Sequence, residues 1–322
     1  MKWIPQKYHN LIRGIIGVAI FIWLISLVDM GEVLELFRKG DPVFLLAGVF
    51  FLLVGYCGFH GYRFHLSIRK ISPNIATSFK LFFLGYLFNN LFPGTAGGDG
   101  VRLYYLHRMT NAGWGKPAGL LLVFRITGMI ALWIAGTFYV IFNFSFIVEA
   151  FKQYITLDLT TGLTTILIIV AIVVALAILL FFKNIKDRIV RFLKETISTL
   201  TLFDFKSYSH ILIHSFGFHF ARMLGFYFLV MFFGAYVEYI HLLFPLVISG
   251  IAITIPISLG GLGVMEGAMA GSLILFDVSV AAASGITLVH RLVLLLIAFF
   301  GGVAYLMGIP EEYMNPMKES ET

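Results

Sequence analysis

Charged residues are scarce in this chain of 322 residues. They make up 12% of it, whereas about 25% of a typical soluble domain is charged. Hydrophobic residues make up 59% of the chain, which is more than a water-facing surface can accommodate. The scarcity of charge therefore excludes an ordinary soluble domain, and the long apolar runs predict an all-α polytopic membrane protein.

Cysteine and the common catalytic motifs are also lacking. Cys57 is the single cysteine, so no disulfide can form within the chain. The sequence contains no HExxH, no CxxC and no cluster of aspartate and histidine, so we predict neither a metal site nor a cofactor. Residues 97–100 are not followed by the lysine and hydroxyl residue of a P-loop, and no Gly-x-Ser-x-Gly elbow occurs.

Apolar runs long enough to cross a bilayer recur along the chain, since roughly 20 apolar residues span its hydrocarbon core. They cover residues 11–28, 43–60, 115–141, 162–182, 211–234 and 280–307. Residues 29–32 follow the first run without the small-residue cleavage site of a signal peptide, so we expect this run to be retained. We predict six full transmembrane helices in a single integral membrane domain, 1–322.

Two further apolar segments are interrupted by proline and glycine. The first, 76–92, resumes at 101–110, and the second, 241–255, resumes at 264–276. Irregular backbone at membrane depth leaves N–H and C=O groups unpaired, and it is tolerated only inside protein or beside a water-filled cavity. We therefore predict two re-entrant helix pairs, within 76–110 and 241–276, that line such a cavity.

The two breaks resemble each other. Each has a proline, then a glycine pair and then an acid; the residues that shape the two loops are Pro93, Gly94, Gly97, Gly98, Pro256, Gly260, Gly261 and Gly263. The acids are Asp99 and Glu266, and each is followed at nearly the same spacing by an arginine inside a span, Arg125 or Arg291. This pattern predicts an inverted repeat, in which paired interrupted segments mark the substrate site of a transporter. The alternative is two ordinary helix hairpins that match by chance.

Most of the 23 basic residues, Arg63 among them, fall on one side of this layout. Arg38, Lys39 and Lys152 fall on the other side. The positive-inside rule makes the basic side the cytoplasm and places both termini there. The net charge of +6 is therefore a sign of topology in a multi-pass protein of the plasma membrane, and we predict no nucleic-acid partner.

A basic segment, 183–207, separates the two halves of the chain. Its apolar residues recur at helical spacing, so we predict a cytoplasmic amphipathic linker between a first half, 1–182, and a second half, 208–322. A helical loop with one solvated face would fit the same pattern.

Charged side chains inside spans are costly, at least roughly 2.5–3.5 kcal/mol at the bilayer centre. Arg125, Arg222 and Arg291 lie inside spans. Asp99 and Glu266 are natural partners for the first and third, either in structural salt bridges or as caps of the resumed helices. Guanidinium groups also suit phosphate, which they bind through two hydrogen bonds. The candidate residues for substrate binding and translocation are Asp99, Arg102, Arg125, Glu266, Arg291, His290 and Asn90. For His290, hydrogen-bonded packing is the alternative to a proton relay.

Residues 89–102 (NNLFPGTAGGDGVR) and 255–267 (IPISLGGLGVMEG) resemble the two signatures of the lysylphosphatidylglycerol synthase transmembrane-region family, also called flippase-like or UPF0104. The resemblance covers nearly the whole chain and puts Arg125 at the family's mid-span arginine, although Phe124 stands where the family often has glutamate. It implies a lipid-translocating membrane domain with two re-entrant helices.

In the multiple-resistance members of this family, a soluble aminoacyl-transferase domain follows the membrane region. This chain ends at Thr322, so we expect a stand-alone member that does not synthesise lysyl-lipid. Archaeal relatives are associated with dolichol-linked sugar assembly, which implies polyprenyl-phosphate glycolipids as a substrate class.

These features predict a flippase or transporter, rather than an enzyme, for a phosphate-containing lipid that is either a phospholipid or linked to polyprenyl phosphate. One alternative is an integral-membrane glycosyltransferase or lipid-modifying enzyme with Asp99 or Glu266 as general base. Another is a non-transporting partner of a separately encoded lipid-modifying enzyme. The expected partner is the lipid itself, and the glycine-rich spans leave a homo-oligomer open.

Overall fold

The computed structural model describes residues 30–72, 74–92, 96–110, 113–145, 148, 186–253 and 260–308. Within these ranges the regular structure is helical and no strand is present. The predicted spans 11–28 and 162–182, both termini, and Pro93, Gly94 and Pro256 lie outside the described residues.

The helices are numbered in chain order. One of them contains a π-helical stretch, and a 3-10 turn precedes another. A π-helical stretch, Val54–His60, lies inside α2, and a 3-10 turn, Tyr239–Leu242, leads into α8. The helices are α1 (Met30–Lys39), α2 (Pro42–Ile68), α3 (Ile75–Leu91), α4 (Ala96–Arg108), α5 (Gly115–Phe142), α6 (Lys186–Leu200), α7 (Phe205–Phe232), α8 (Leu243–Ala252), α9 (Val264–Ile274) and α10 (Val280–Leu306).

Four of these helices, α2, α5, α7 and α10, are long and apolar enough to cross a membrane. Each has 27 or 28 residues, or about 40 Å at 1.5 Å per residue, which exceeds a hydrocarbon core of about 30 Å. They coincide with the predicted spans 43–60, 115–141, 211–234 and 280–307. The polytopic helical architecture is thus confirmed, while six spans, re-entrant insertion and an inverted repeat stay predictions.

Side-chain caps fix where several helices begin. Asp41 accepts a hydrogen bond from the Val43 N–H at 2.9 Å, directly before Pro42 at the first position of α2. Asn74 caps α3, Asp204 caps α7 and Ser279 caps α10 in the same way. Each such cap contributes about 1 kcal/mol because it satisfies N–H groups that have no partner within the helix.

The first break is shorter than predicted. We expected the helix to resume at 101, but α4 begins at Ala96, so Gly97, Gly98 and Asp99 lie in its first turn and not in a loop. Asn89 explains the early start, because its side chain accepts a hydrogen bond from the Gly98 N–H at 2.8 Å. Glycine is needed for packing here, since a Cβ at Gly97 would come within 2.6 Å of the Phe88 carbonyl oxygen.

The second break matches the prediction where it is described. The chain turns through residues 260–263, and α9 begins at Val264. Gly260 and Gly263 have φ angles of 55° and 81°, a region that L side chains rarely adopt. The two breaks touch each other, because the Gly260 N–H donates to the Phe92 carbonyl at 3.2 Å.

The α6 helix lies within the predicted linker and packs on the start of α5. The Gly115 N–H donates to Glu195 Oε2 at 3.3 Å, and Thr196 Oγ1 donates to the Gly115 carbonyl at 3.3 Å. The division of the chain into two halves around this segment stays a prediction.

Glycines allow α2 and α7 to approach closely. A Cβ on Gly48 would come within 2.8 Å of Leu229, and one on Gly225 would come within 2.7 Å of Leu52 and 3.0 Å of the Gly48 carbonyl. Small residues permit this kind of backbone approach between membrane helices.

We expect Gly225→Ala to lower the free energy of unfolding by about 1–3 kcal/mol, because the added methyl overpacks this contact. Thermal and denaturant unfolding of the detergent-purified protein measures the change. Gly271→Ala is the matched control, since nothing lies within 4 Å of a Cβ at that position in α9. Equal behaviour of the two variants would contradict the close packing of α2 on α7.

Candidate functional site

A cavity of about 260 Å³ lies where the two breaks meet the long helices. Its volume is slightly below the roughly 300–1,000 Å³ of typical small-ligand pockets, so it has room for one small polar group. The predicted site residues that line it are Asn90, Asp99, Arg102, Arg125, Gly260 and Arg291.

Arginines dominate the charge of this cavity. Each comes from a different helix, α2, α4, α5, α7 or α10, and together they form what we call the arginine cluster: Arg63, Arg102, Arg125, Arg222 and Arg291. Arg125 has 38% of its side chain exposed, while the other four have at most 6% exposed. Buried guanidinium groups at one site are costly unless anions neutralise them.

Asp99 neutralises part of the cluster at the first break. One of its carboxylate oxygens accepts a hydrogen bond from Arg102 Nη1 at 3.3 Å, and the other accepts one from Arg125 Nε. Arg102 also donates to the carbonyls of Leu81 at 3.4 Å and Phe82 at 2.8 Å. One carboxylate therefore serves two arginines and ties α3, α4 and α5 together.

Glu266 plays the matching part at the second break. Its Oε2 accepts from the Gly263 N–H at 2.8 Å and so caps α9, while its Oε1 accepts from Arg291 Nε. Arg291 Nη1 further donates to the Gly260 carbonyl at 3.4 Å. Capping and ion pairing, which the sequence left as alternatives, occur together at Glu266. At the first break, Asn89 satisfies the helix N–H and Asp99 binds the arginines.

The structure also places residues in the cavity that the sequence analysis missed. Arg63 was counted among the cytoplasmic charges, but α2 continues past it to Ile68 and buries it at the cavity with 3% exposure. Arg222 was recognised inside a span but not assigned to the site. Each stands three residues after a cavity-lining histidine, His60 or His219, and this spacing on one helix face was the available signal.

His290 needs a correction in the other direction. It is fully buried, and its Nε2 lies 2.8 Å from the hydroxyl of Tyr56. Tyr56 lines the cavity and His290 does not. His290, a candidate for substrate binding, therefore lies behind the tyrosine and makes the kind of hydrogen-bonded packing contact that was its alternative.

The remaining walls are largely apolar and aromatic. The Arg63 guanidinium lies 4.4 Å from the ring centroid of Phe124, and Asn90 donates to the Tyr86 carbonyl at 2.9 Å. Across the described part of the chain, no three histidine, cysteine, aspartate or glutamate side chains come together as a metal site. The arrangement can hold an anion by charge-assisted hydrogen bonds in a poorly solvated pocket, where such bonds are strongest.

Comparison with known proteins agrees with the signatures around both breaks. The sequence model of the lysylphosphatidylglycerol synthase TM region matches residues 10–302. A relative, the UPF0104 membrane protein of Methanothermobacter thermautotrophicus, is 29% identical over 110 residues, which cover 33% of this chain and 32% of that protein. The match thus spans about a third of this curated relative. Because the family match extends over both breaks and all four long apolar helices up to residue 302, this chain belongs to the family of the lysylphosphatidylglycerol synthase TM region.

Proposed function

We propose that this protein moves a phosphate-containing lipid across the bilayer, with the headgroup in the cavity and the hydrocarbon tails left in the membrane. The observation that carries the proposal is the arginine cluster, which lies between long apolar helices and beside both breaks. Ionisable residues at such positions in membrane proteins mark ion or substrate pathways. We place the protein in the plasma membrane with both termini in the cytoplasm.

Charge explains why such a path would need arginine. A phosphate headgroup cannot enter a hydrocarbon core unless other groups replace its hydration. Guanidinium groups on separate helices can supply paired N–H donors to phosphate oxygens as the headgroup passes. A cavity of about 260 Å³ has room for a headgroup but not for whole lipid tails, which supports a route that leaves the tails in the membrane.

Transport is favoured over catalysis by the state of the two acids. Asp99 and Glu266, the candidate general bases, both have their oxygens engaged by arginine or by a helix N–H. Either carboxylate would have to give up an arginine or a helix N–H before these oxygens could take a proton from a substrate. Release of product from a labelled sugar-phosphate lipid by purified protein would favour the enzyme instead.

The transport proposal is tested in liposomes that contain the purified protein and a labelled lipid with a phosphate headgroup. We expect labelled lipid to change leaflets faster than in protein-free liposomes. Arg125→Gln should slow this movement about tenfold, since one lost hydrogen bond to a charged group costs about 1.5–3 kcal/mol.

Arg108→Gln is the matched control for that variant. Arg108 is exposed in the last turn of α4, outside the cavity, so its loss should leave the rate unchanged. Movement no faster than in empty liposomes, for every phosphate lipid tried, would contradict the proposal.

A further inference from the structure

The cavity carries more positive than negative charge. The arginine cluster supplies five guanidinium groups, whereas within the described ranges only Asp99 and Glu266 pair with any of them. Asp99 is shared by Arg102 and Arg125, and Glu266 is occupied by Arg291. Two members of the cluster, Arg63 and Arg222, are therefore left without a carboxylate from this part of the chain.

Arg222 is the clearer of these two cases. Its side chain is 6% exposed, and its Nε has no hydrogen-bond partner among the described residues. Its guanidinium carbon lies 5.6 Å from the ring centroid of Tyr56 and 5.3 Å from that of Phe218. Aromatic faces offset part of the cost of burying a cation, but they do not replace a counter-ion.

Arg63 faces the same cavity from α2. Its Nη1 donates to Ser215 Oγ at 3.0 Å, and its Nη2 lies 3.0 Å from His60 Nδ1. Its Nε has no partner in the described part of the chain. These neighbours fix the direction of the guanidinium without neutralising it. A buried ion left in this state is costly, so the site is suited to an anion that the described part of the chain does not provide.

The size of the charge excess indicates which anion fits. A phosphodiester headgroup brings one negative charge, whereas a phosphomonoester brings about −1.5 to −2 at pH 7. A diphosphate also brings more than one charge, together with a longer row of acceptor oxygens for guanidinium groups. A lysyl headgroup brings ammonium groups, which would meet the unpaired arginines at a cost of several kcal/mol for like charges.

We propose that the arginine cluster selects lipids whose headgroup carries two or more negative charges, a phosphomonoester or a diphosphate, over lipids with a phosphodiester or an ammonium-bearing headgroup. This inference rests on the lipid-moving function proposed above and specifies its substrate class. Because of Arg63 and Arg222, we expect this chain not to prefer the aminoacylated lipid after which the family is named.

Binding to the full chain, purified in a neutral detergent, tests this selection. The probes are phosphatidic acid, phosphatidylglycerol, lysyl-phosphatidylglycerol, inorganic phosphate and inorganic pyrophosphate. We expect phosphatidic acid to bind at least tenfold more tightly than phosphatidylglycerol and lysyl-phosphatidylglycerol to bind most weakly. Arg222→Gln should weaken phosphatidic acid binding at least tenfold and narrow its advantage over phosphatidylglycerol.

Arg63→Gln, on a different helix, should reduce the affinity advantage of phosphatidic acid over phosphatidylglycerol in the same way. It serves as a second variant if Arg222→Gln fails to fold. Arg108→Gln is the control and should leave all affinities unchanged. Equal binding of phosphatidic acid and phosphatidylglycerol, or tight binding of the lysyl lipid, would overturn the selection. Pyrophosphate that binds as tightly as phosphatidic acid would overturn the assignment to a lipid.

The two proposals fail in different assays. Preferential binding of phosphatidic acid without movement in liposomes would contradict transport and support the headgroup selection. Movement at the same rate for every headgroup would support transport and overturn the selection.

Discussion

Arg291→Gln is expected to lower the free energy of unfolding by about 3–5 kcal/mol, the usual cost of removing one partner of a buried ion pair. Arg291 and Glu266 are 4% and 6% exposed, so the remaining carboxylate would be buried without its cation. The loss would also release the Gly260 carbonyl, which Arg291 contacts at 3.4 Å. Denaturant unfolding of the purified variant in detergent measures this change.

The double variant Glu266→Gln/Arg291→Gln distinguishes the effect of an unpaired buried charge from the effect of a changed side-chain shape. A glutamine at 266 keeps an oxygen for the Gly263 N–H, so the cap of α9 is retained while the buried charge is removed. We expect the double variant to recover most of the stability lost in Arg291→Gln, with a coupling that only interacting residues show. If the stability losses of the two single variants simply add, the result would contradict a stabilising ion pair at the second break.

The first break provides a comparison in the same molecule. Arg125 is 38% exposed and Asp99 is 22% exposed, and Asp99 keeps Arg102 as a second partner. Arg125→Gln should therefore cost about 1 kcal/mol of stability or less, in the range of exposed ion pairs. The two breaks are similar in sequence, but the ion pair at the second break is expected to contribute more to stability than the ion pair at the first.

Arg222→Met is expected to have opposite effects on stability and function. Because no described carboxylate pairs with Arg222, an apolar side chain of similar length should raise the stability of the ligand-free protein by about 1–4 kcal/mol. The same change should slow lipid movement about a hundredfold. Two hydrogen bonds to a charged headgroup would be lost, and each is worth about 1.5–3 kcal/mol.

Unfolding in neutral detergent and the liposome assay measure these two effects on the same preparation. Arg108→Met is the control, because it makes the same exchange at an exposed position and should change neither quantity. A variant that is less stable than the native chain would show that Arg222 has a structural partner. A variant that is more stable and fully active would remove Arg222 from the lipid path.

The sequence alone determined the class of the protein and most of its frame. Hydropathy is a local property of the chain, so the long apolar runs located α2, α5, α7 and α10, and the proline and glycine clusters located both breaks. The matched spacing from each acid to an arginine also predicted the pairs Asp99–Arg125 and Glu266–Arg291. The start of α4 was placed too late, because Asn89 supplies a cap from the preceding helix.

The tertiary structure alone decided which further arginines join these pairs at the cavity. Arg63 and Arg222 belong to the cavity because α2 and α7 pack closely and direct both side chains inward, whereas a hydropathy pattern gives no rotation of one helix against another. Tyr56 lies between His290 and the cavity for the same reason. The sequence thus places Arg125, Arg222 and Arg291 inside long apolar runs. The excess of positive charge at one point arises from the packing of five helices, which no local pattern encodes.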